Sequence, residues 1–344
     1  MTTGLPAVMR ASVLLEKRKL AIEERPVPEL EPDEVLIKVA SVGVCGSDVH
    51  YFAEGRIGDF VVEQPLILGH EAGGTIVAVG DRVSPDRVGQ RVSIEPQHPD
   101  PTSAESLSGR YNLDPHMRFY ATPPVDGAFA EYVKIQSHFA FAVPDEVSDD
   151  AAALMEPLSV GIAAAQKGGI TAGSRVLIAG AGPIGIIAAQ VARAFGATEI
   201  IVSDVDDARL KQSVRFGATR TVNPIREDPA ALDLGVDCFI DASGATPAVL
   251  SGLRSVRPGG TVVLVGMGAD EIALPIPVIQ NNEITLTGVF RYANTWPTAI
   301  ELVRTGRVDL DSLVTGRYGL ADVEEALIAS TRSTSLKTIV TPGS

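Results

Sequence analysis

The stretch VLIAGAGPIG, Val176 to Gly185, sets Gly180, Gly182 and Gly185 in G-x-G-x-x-G spacing between an apolar run and a segment able to form a helix. The first glycine permits a tight turn and the second lets backbone approach a pyrophosphate. The third lets helix and strand pack closely, and the helix N-terminus attracts the anion. Such spacing also occurs in purely structural loops, so its surroundings decide. The next apolar run, EIIVSD, ends at Asp204, 24 residues after Gly180. A carboxylate there can accept hydrogen bonds from adenosine ribose hydroxyls and repels a 2′-phosphate, which favours NAD over NADP. The alternative for Asp204 is a solvated strand end. Arg209 either pairs with that carboxylate or lies against the adenine. Gly180, Gly182, Pro183, Ile184, Gly185, Asp204 and Arg209 are thus candidate cofactor-binding residues.

Outward from this turn, apolar runs alternate with helix-length segments: RVLIAGAG, an Ile/Ala-rich run to Phe195, EIIVSDV, DARLKQSVRFGA, GVDCFIDASG, PAVLSGLRSV and GGTVVLVGMG. Continuous apolar strands separated by helices indicate a parallel sheet covered on both faces, an α/β Rossmann architecture. Upstream, from Arg10 to about Tyr132, short alternating runs such as EVLIKVASVGV and GGTIVAVG are punctuated by Gly, Pro and Asp. This pattern predicts a twisted, mostly antiparallel β domain. After EITLTGVF the tail mixes helical segments, WPTAIELVRTG and ADVEEALIAS, with a strand-like end, LKTIVTP.

A chain of 344 residues, 45% hydrophobic, is long enough for two domains with substantial cores. Its net charge of −14, without a clustered basic block, disfavours nucleic acid and anionic membrane surfaces as partners and leaves small molecules. The first dozen residues do not resemble a signal peptide, and no segment reaches about 18 uninterrupted apolar residues, so a cytoplasmic location is expected. Two cysteines, Cys45 and Cys238, make no disulfide framework.

Cys45 in SVGVCGSDVHYF, His70 and Glu71 in LILGHEAGG, and Glu156 in AALMEPLSVG are each, singly, ordinary structural residues. Together they offer thiolate, imidazole and carboxylate. That set suits zinc, which in catalytic sites takes three protein ligands and leaves a position to water or substrate. No spacing rule links positions so far apart.

The segments GVCGSDVHYF, GRIGDF, LGHEAGGTI, GRYNL, ATPPVDGAFAEY, EPLSVGI, GAGPIG, GVFRYANTWP and LKTIV resemble the zinc-dependent medium-chain dehydrogenase/reductase family, most closely its sorbitol (polyol) dehydrogenase branch. The resemblance spans nearly the whole chain. It implies a GroES-like catalytic domain from residues 1–157 and 296–344 around a Rossmann NAD-binding domain at 158–295. It implies a zinc held by Cys45, His70 and Glu71, with Glu156 bonding the metal water or exchanging with it as a ligand. The implied reaction is oxidation of a polyol secondary hydroxyl to a ketose, with hydride passing to NAD. Glu156 is a candidate for the proton path, with Ser47 and His50 a second; otherwise those two belong to a loop capping the following helix. Tyr51, Phe119, Thr122, Arg291 and Tyr292 are implied substrate contacts, Arg291 because a guanidinium fork can donate to neighbouring hydroxyls. Val265, Gly266, Met267, Val289, Phe290 and Arg291 are implied to border the nicotinamide, although Phe290 could equally be core packing. A homotetramer is also implied.

Alternative readings keep the chemistry and change the substrate to xylitol, galactitol, arabinitol or an amino alcohol such as threonine. A further one is a non-catalytic dinucleotide-binding protein, which has no need of an open metal site. One departure from the family pattern stands out. Where many members carry a structural zinc lobe, C-x2-C-x2-C-x7-C, this chain has Asp100, Ser103, Ser106 and Asp114. Two aspartates and two hydroxyls cannot form a closed thiolate site, so one catalytic zinc per subunit is expected, with the lobe held by hydrogen bonds and subunit contacts. His98 and His116 are expected at the surface.

Overall fold

The computed structural model describes residues 4–343. They form two compact units: one runs to Glu156 and adds Trp296–Arg304 and the chain from Leu310 on, and the other comprises Pro157–Thr295 and Thr305–Asp309.

The second unit is built on a six-stranded parallel sheet. Its strands run in the order Arg220–Val222, Glu199–Ser203, Arg175–Ala179, Val236–Asp241, Val256–Leu264 and Thr285–Gly288. Numbered along the chain this is 3-2-1-4-5-6, the doubly wound order whose reversal lies beside the first strand. Val176, Leu177 and Ile178 are buried, as a strand covered on both faces requires. Pro183 at the start of the helix Pro183–Ala194 costs no hydrogen bond, because its missing N–H would be unpaired there anyway. That helix buries Ile186, Ile187, Ala188, Ala189, Val191 and Ala192. The segment Thr305–Asp309, expected with the catalytic domain, joins this unit. The Gln190 side chain donates to the Asp309 carbonyl (3.1 Å) and accepts from its N–H (2.8 Å), tying the segment to the helix.

The first unit centres on a seven-stranded sheet in the order Ala140–Ala142, Arg91–Ile94, Glu71–Val79, Glu34–Gly43, Lys337–Thr341 and Val314–Gly319, with Tyr132–Gln136 also paired to Glu34–Gly43. The mixed tail therefore supplies two strands here. Lys337–Thr341 pairs antiparallel with Glu34–Gly43 and parallel with Val314–Gly319. A smaller sheet of Lys19–Pro26, Val8–Glu16 and Leu66–Ile67 closes the other side of the apolar core.

The lobe at residues 100–114 is interlocked by hydrogen bonds. Asp114 accepts from the Asp100 N–H (2.7 Å), the Asp100 carboxylate accepts from the N–H and hydroxyl of Thr102, and Ser103 accepts from the Ser106 N–H (3.2 Å). His116 is exposed, but His98 is half-buried, partly withdrawn from the surface position expected of it. Its strand Gln97–His98 pairs with Arg118–Phe119 and brings the imidazole to 6.0 Å from the Tyr120 ring. Burial, with Arg118 nearby, pushes its pKa down to about 4.

The glycine turn gives a direct test of this packing. A Cβ at Gly185 would lie 1.8 Å from the Gly180 carbonyl oxygen, whereas one at Gly182 meets nothing within 4 Å. Gly185→Ala is expected to lose about 2 kcal/mol or more in denaturant unfolding, while Gly182→Ala stays within about 0.5 kcal/mol of the parent.

Candidate metal and dinucleotide sites

Cys45 follows the strand Glu34–Gly43 and precedes the helix Gly46–Glu54. The neighbouring Val44 is fastened twice to the last strand: its N–H donates to the Thr338 carbonyl (3.0 Å) and its carbonyl accepts from Lys337 Nζ (3.1 Å). Asp48, at the third position of the helix, accepts from the Cys45 N–H (2.9 Å) and from the Gly69 N–H (2.9 Å). One carboxylate thus caps the helix and joins the loop bearing Cys45 to the loop bearing His70.

His70 and Glu71 open the strand Glu71–Val79, in which Glu71 stands opposite Gly43. A Cβ at position 43 would lie 2.0 Å from Glu71 Oε2, so this close approach requires glycine. Ligand atoms of Cys45, His70 and Glu71 all lie within 4.8 Å of one another. Glu71 Oε1 accepts from Lys337 Nζ, and Glu71 Oε2 is buried with no hydrogen-bond partner among the described residues. A soft sulfur, an imidazole and an incompletely satisfied buried carboxylate match the donor preferences of zinc, so these residues fit that metal.

The electrostatics of the pocket are strongly coupled. Burial acts to discharge His70, but the Asp48 carboxylate, 3.7 Å from Nδ1, and the Cys45 sulfur overcome it and hold the imidazole well above its usual pKa. Burial also opposes the Lys337 ammonium. Glu71, Cys45 and Glu156 reverse that effect, and its pKa is raised. Glu156 is buried at the head of the helix Met155–Lys167, close enough for its charge to act on both Lys337 and Glu95.

Of the other sequence candidates in this unit, Phe119 packs its ring 5.6 Å from the His70 ring. The Thr122 N–H donates to the Phe119 carbonyl (3.1 Å), holding the turn beside it. Tyr51 is buried in the hydrophobic core, Ser47 is half-buried and His50 is exposed on the helix. The helix cap comes from Asp48 rather than Ser47. Sequence reasoning missed Asp48, Lys337, Glu95 and Gly43. The acid three places after Cys45 is a capping signal, and the lysine in an apolar terminal strand hints at a buried pair.

In the second unit Gly180 takes φ +95°, a left-handed turn that only glycine adopts freely, and Gly182 leaves open space above the helix N-terminus. Asp204 accepts from the Ala181 N–H (2.7 Å) and the Asp206 N–H (2.9 Å), drawing the glycine loop against the end of the second strand. The Arg209 N–H donates to Asp206 in the first helical turn. A largely apolar cavity of about 380 Å³ opens beside these strand ends, lined by Ser203, Val205, Pro224, Ala245 and Pro247 among others. The sequence had not indicated those residues. The N–H groups of Val265 and Gly266 donate to the Asp241 carbonyl (2.9 Å each), and that of Val289 donates to the Leu264 carbonyl. Met267 and Phe290 are exposed, and the Arg291 guanidinium lies 4.7 Å from the Phe290 ring centre. Tyr292 is buried.

Residues 31–145 match the family model for the alcohol dehydrogenase GroES-like domain, and residues 183–305 match that for the zinc-binding dehydrogenases. The chain is 46% identical to the sorbitol dehydrogenase of Bacillus subtilis (strain 168) over 335 residues, covering 95% of each. It is 41% identical to that of Mus musculus, covering 93% of this chain and 92% of the relative. The solved structure of L-idonate 5-dehydrogenase from Escherichia coli superposes with a TM-score of 0.92 at 30% identity, covering 97% and 98% of the two chains. The chain therefore belongs to the zinc-binding dehydrogenases, in the family of the sorbitol dehydrogenases.

Glu95 offers a pH test of this core. Burial raises its pKa to about 7, against hydrogen bonds from Tyr111 and Gln97 (2.8 Å each) and with Glu156 adding to the rise. A carboxyl with a folded pKa above its unfolded value binds the extra proton in the folded state, so its contribution to stability falls as pH rises from about 4.5 to about 7. Glu95→Gln is expected to flatten that part of the profile, about 3 kcal/mol at most. Thermal melts of both proteins from pH 5 to 8 check this, since their difference cancels His98 and other groups.

Proposed function

We propose that the protein is a zinc-dependent polyol dehydrogenase that oxidises a secondary hydroxyl to a ketone and passes hydride to NAD. The observation that carries this reading is the cluster of half-buried Cys45 with buried His70 and Glu71, in a chain 46% identical to a sorbitol dehydrogenase. Cys45, His70 and Glu71 would hold the metal. When bound, zinc supplies Lewis-acid polarisation that lets the substrate hydroxyl lose its proton near neutral pH. Hydride chemistry belongs to the nicotinamide.

What the chain contributes is position and proton handling. Asp48 faces His70 Nδ1 and so orients the ring with its other nitrogen toward the ligand cluster. Glu156, buried beside the Lys337 and Glu95 charges, is the proposed proton acceptor, with Ser47 and His50 forming a second path outward. Phe119 packed on His70 gives the substrate pocket an apolar wall, and Thr122, Tyr51, Tyr292 and Arg291 are the proposed hydroxyl contacts. A site that pairs several hydroxyls rejects a simple alcohol, which leaves those groups unpaired.

The open space at Gly182 supports pyrophosphate binding there. The 380 Å³ cavity supports adenine binding, and Arg209 is the proposed residue against the adenine side. Asp204 already accepts two backbone N–H bonds, yet an ionised carboxylate has about four acceptor sites and can still take a ribose hydroxyl. Val265, Gly266, Met267, Val289 and Phe290 are proposed to flank the nicotinamide. On the family resemblance we also infer a cytoplasmic homotetramer, its catalytic domain residues 1–157 and 296–344 and its coenzyme domain 158–295, with one zinc per subunit.

Assay of NADH formation on sorbitol, xylitol, galactitol, arabinitol and threonine, beside metal analysis, tests this reading. Polyol activity with one zinc per chain is expected. Cys45→Ser should reduce kcat/KM by more than the roughly 10–100-fold typical of residues one shell out from a metal. Undiminished activity after zinc removal would refute the proposal. Asp204→Ala is expected to shift the NADP/NAD ratio of kcat/KM at least about tenfold toward NADP, equivalent to about 1.4 kcal/mol; an unchanged ratio would remove Asp204 from cofactor selection.

A further inference from the structure

We infer that Lys337 is a positioning residue for the metal ligand Glu71, setting how that carboxylate is shared with the zinc. This rests on the zinc site proposed above. Lys337 is 3% exposed on the last strand, and its Nζ donates to Glu71 Oε1 and to the Val44 carbonyl (3.1 Å). Both acceptors are next to the metal: one belongs to a ligand and the other to the residue preceding Cys45. The ammonium therefore occupies one oxygen of Glu71 and leaves Oε2 without a partner among the described residues. The space for that second oxygen exists because position 43 is glycine: a methyl group there would lie 2.0 Å from Oε2.

Two consequences follow from ordinary electrostatics. First, a carboxylate with one oxygen engaged by an ammonium has less capacity to chelate through both, which keeps a coordination position open for substrate. Second, the ligand set carries the charges of a thiolate and a carboxylate, and Lys337 offsets one of them. The metal then retains more of its own positive charge than two uncompensated anions would leave it, and is a stronger Lewis acid. The groups facing Lys337 are Glu71, Cys45 and Glu156, so the ammonium is held by the site it adjusts.

The test uses full-length protein loaded with zinc or with cobalt(II), whose visible spectrum reports ligand geometry. Lys337→Met removes charge and donor. Lys337→Gln removes the charge and keeps a donor for Val44 and Glu71, so it serves if the methionine variant does not fold. Lys337→Arg keeps charge and donors. Folded neutral variants are expected to lose zinc to a chelator about tenfold more slowly, because both Glu71 oxygens and the full ligand charge then face the metal, and to shift the cobalt d–d bands, while Lys337→Arg stays near the parent. A folded neutral variant with the parent spectrum and release rate would overturn the inference, as would an arginine variant as impaired as the neutral ones. A parent protein that binds no zinc at all would instead refute the metal site itself.

Discussion

The organising constraint in the first unit is that ionisable groups buried together must neutralise one another. Asp48, His70, Glu71, Glu95, Glu156 and Lys337 are all buried, with Cys45 at their edge. Like charges at about 4 Å cost on the order of 4 kcal/mol even when partly screened, so such a group holds only with compensating cations and hydrogen bonds. The structure supplies them from distant parts of the chain. Asp48 accepts backbone N–H groups from two loops, Lys337 arrives from the last strand, and burial raises the pKa of Glu95 to about 7, so it gives up its charge at a higher pH than an exposed carboxylate does. Removing one member leaves another unpaired, and two of them, Asp48 and Lys337, are tied to backbone as well as to charged partners.

Close packing around these groups depends on residues without side chains. Gly43 gives the Glu71 carboxylate room against the neighbouring strand, and Gly73 lets the helical segment Asp149–Ala153 approach the strand behind it, where an added Cβ would lie 3.0 Å from Ala152. In the second unit the same economy acts at Gly185, which brings the helix onto the Gly180 carbonyl and aims its N-terminus along the turn. One set of close approaches shapes an anionic ligand cluster; the other shapes a receptor for an anion.

Much of this was legible in the sequence where period and turn chemistry agree. The strand, glycine turn and helix from Arg175 to Ala194 follow from apolar continuity, a glycine pattern and a proline at the first helical position. The third strand, Arg220–Val222, escaped because three residues with one buried side chain make no apolar run. Cys45, His70 and Glu71 could be named as a ligand-capable set, but only strand pairing between Glu34–Gly43 and Glu71–Val79 brings them within reach of one another. Lys337 and Glu95 were invisible because a charged residue reads as surface until its surroundings are known; the partner of Lys337 lies 266 residues away, and nothing in the sequence marks the neighbours of Glu95 as buried. His98 was misjudged in part: a two-residue strand pairing holds it in a half-buried position.

The strand Lys337–Thr341 lies inside the seven-stranded sheet, one from its edge, between Glu34–Gly43 and Val314–Gly319. A chain made from its N-terminus emerges with the thiolate, imidazole and carboxylate long before their counter-ion, and with the contiguous parallel sheet of the second unit already complete. Lys337 therefore joins the ligand cluster late and at long range, because its place beside Glu34–Gly43 is filled by a strand made after the parallel sheet. The order of synthesis separates two steps in time: the dinucleotide receptor and the ligand set come from neighbours in sequence, and the lysine that neutralises the ligands comes with the closing strand.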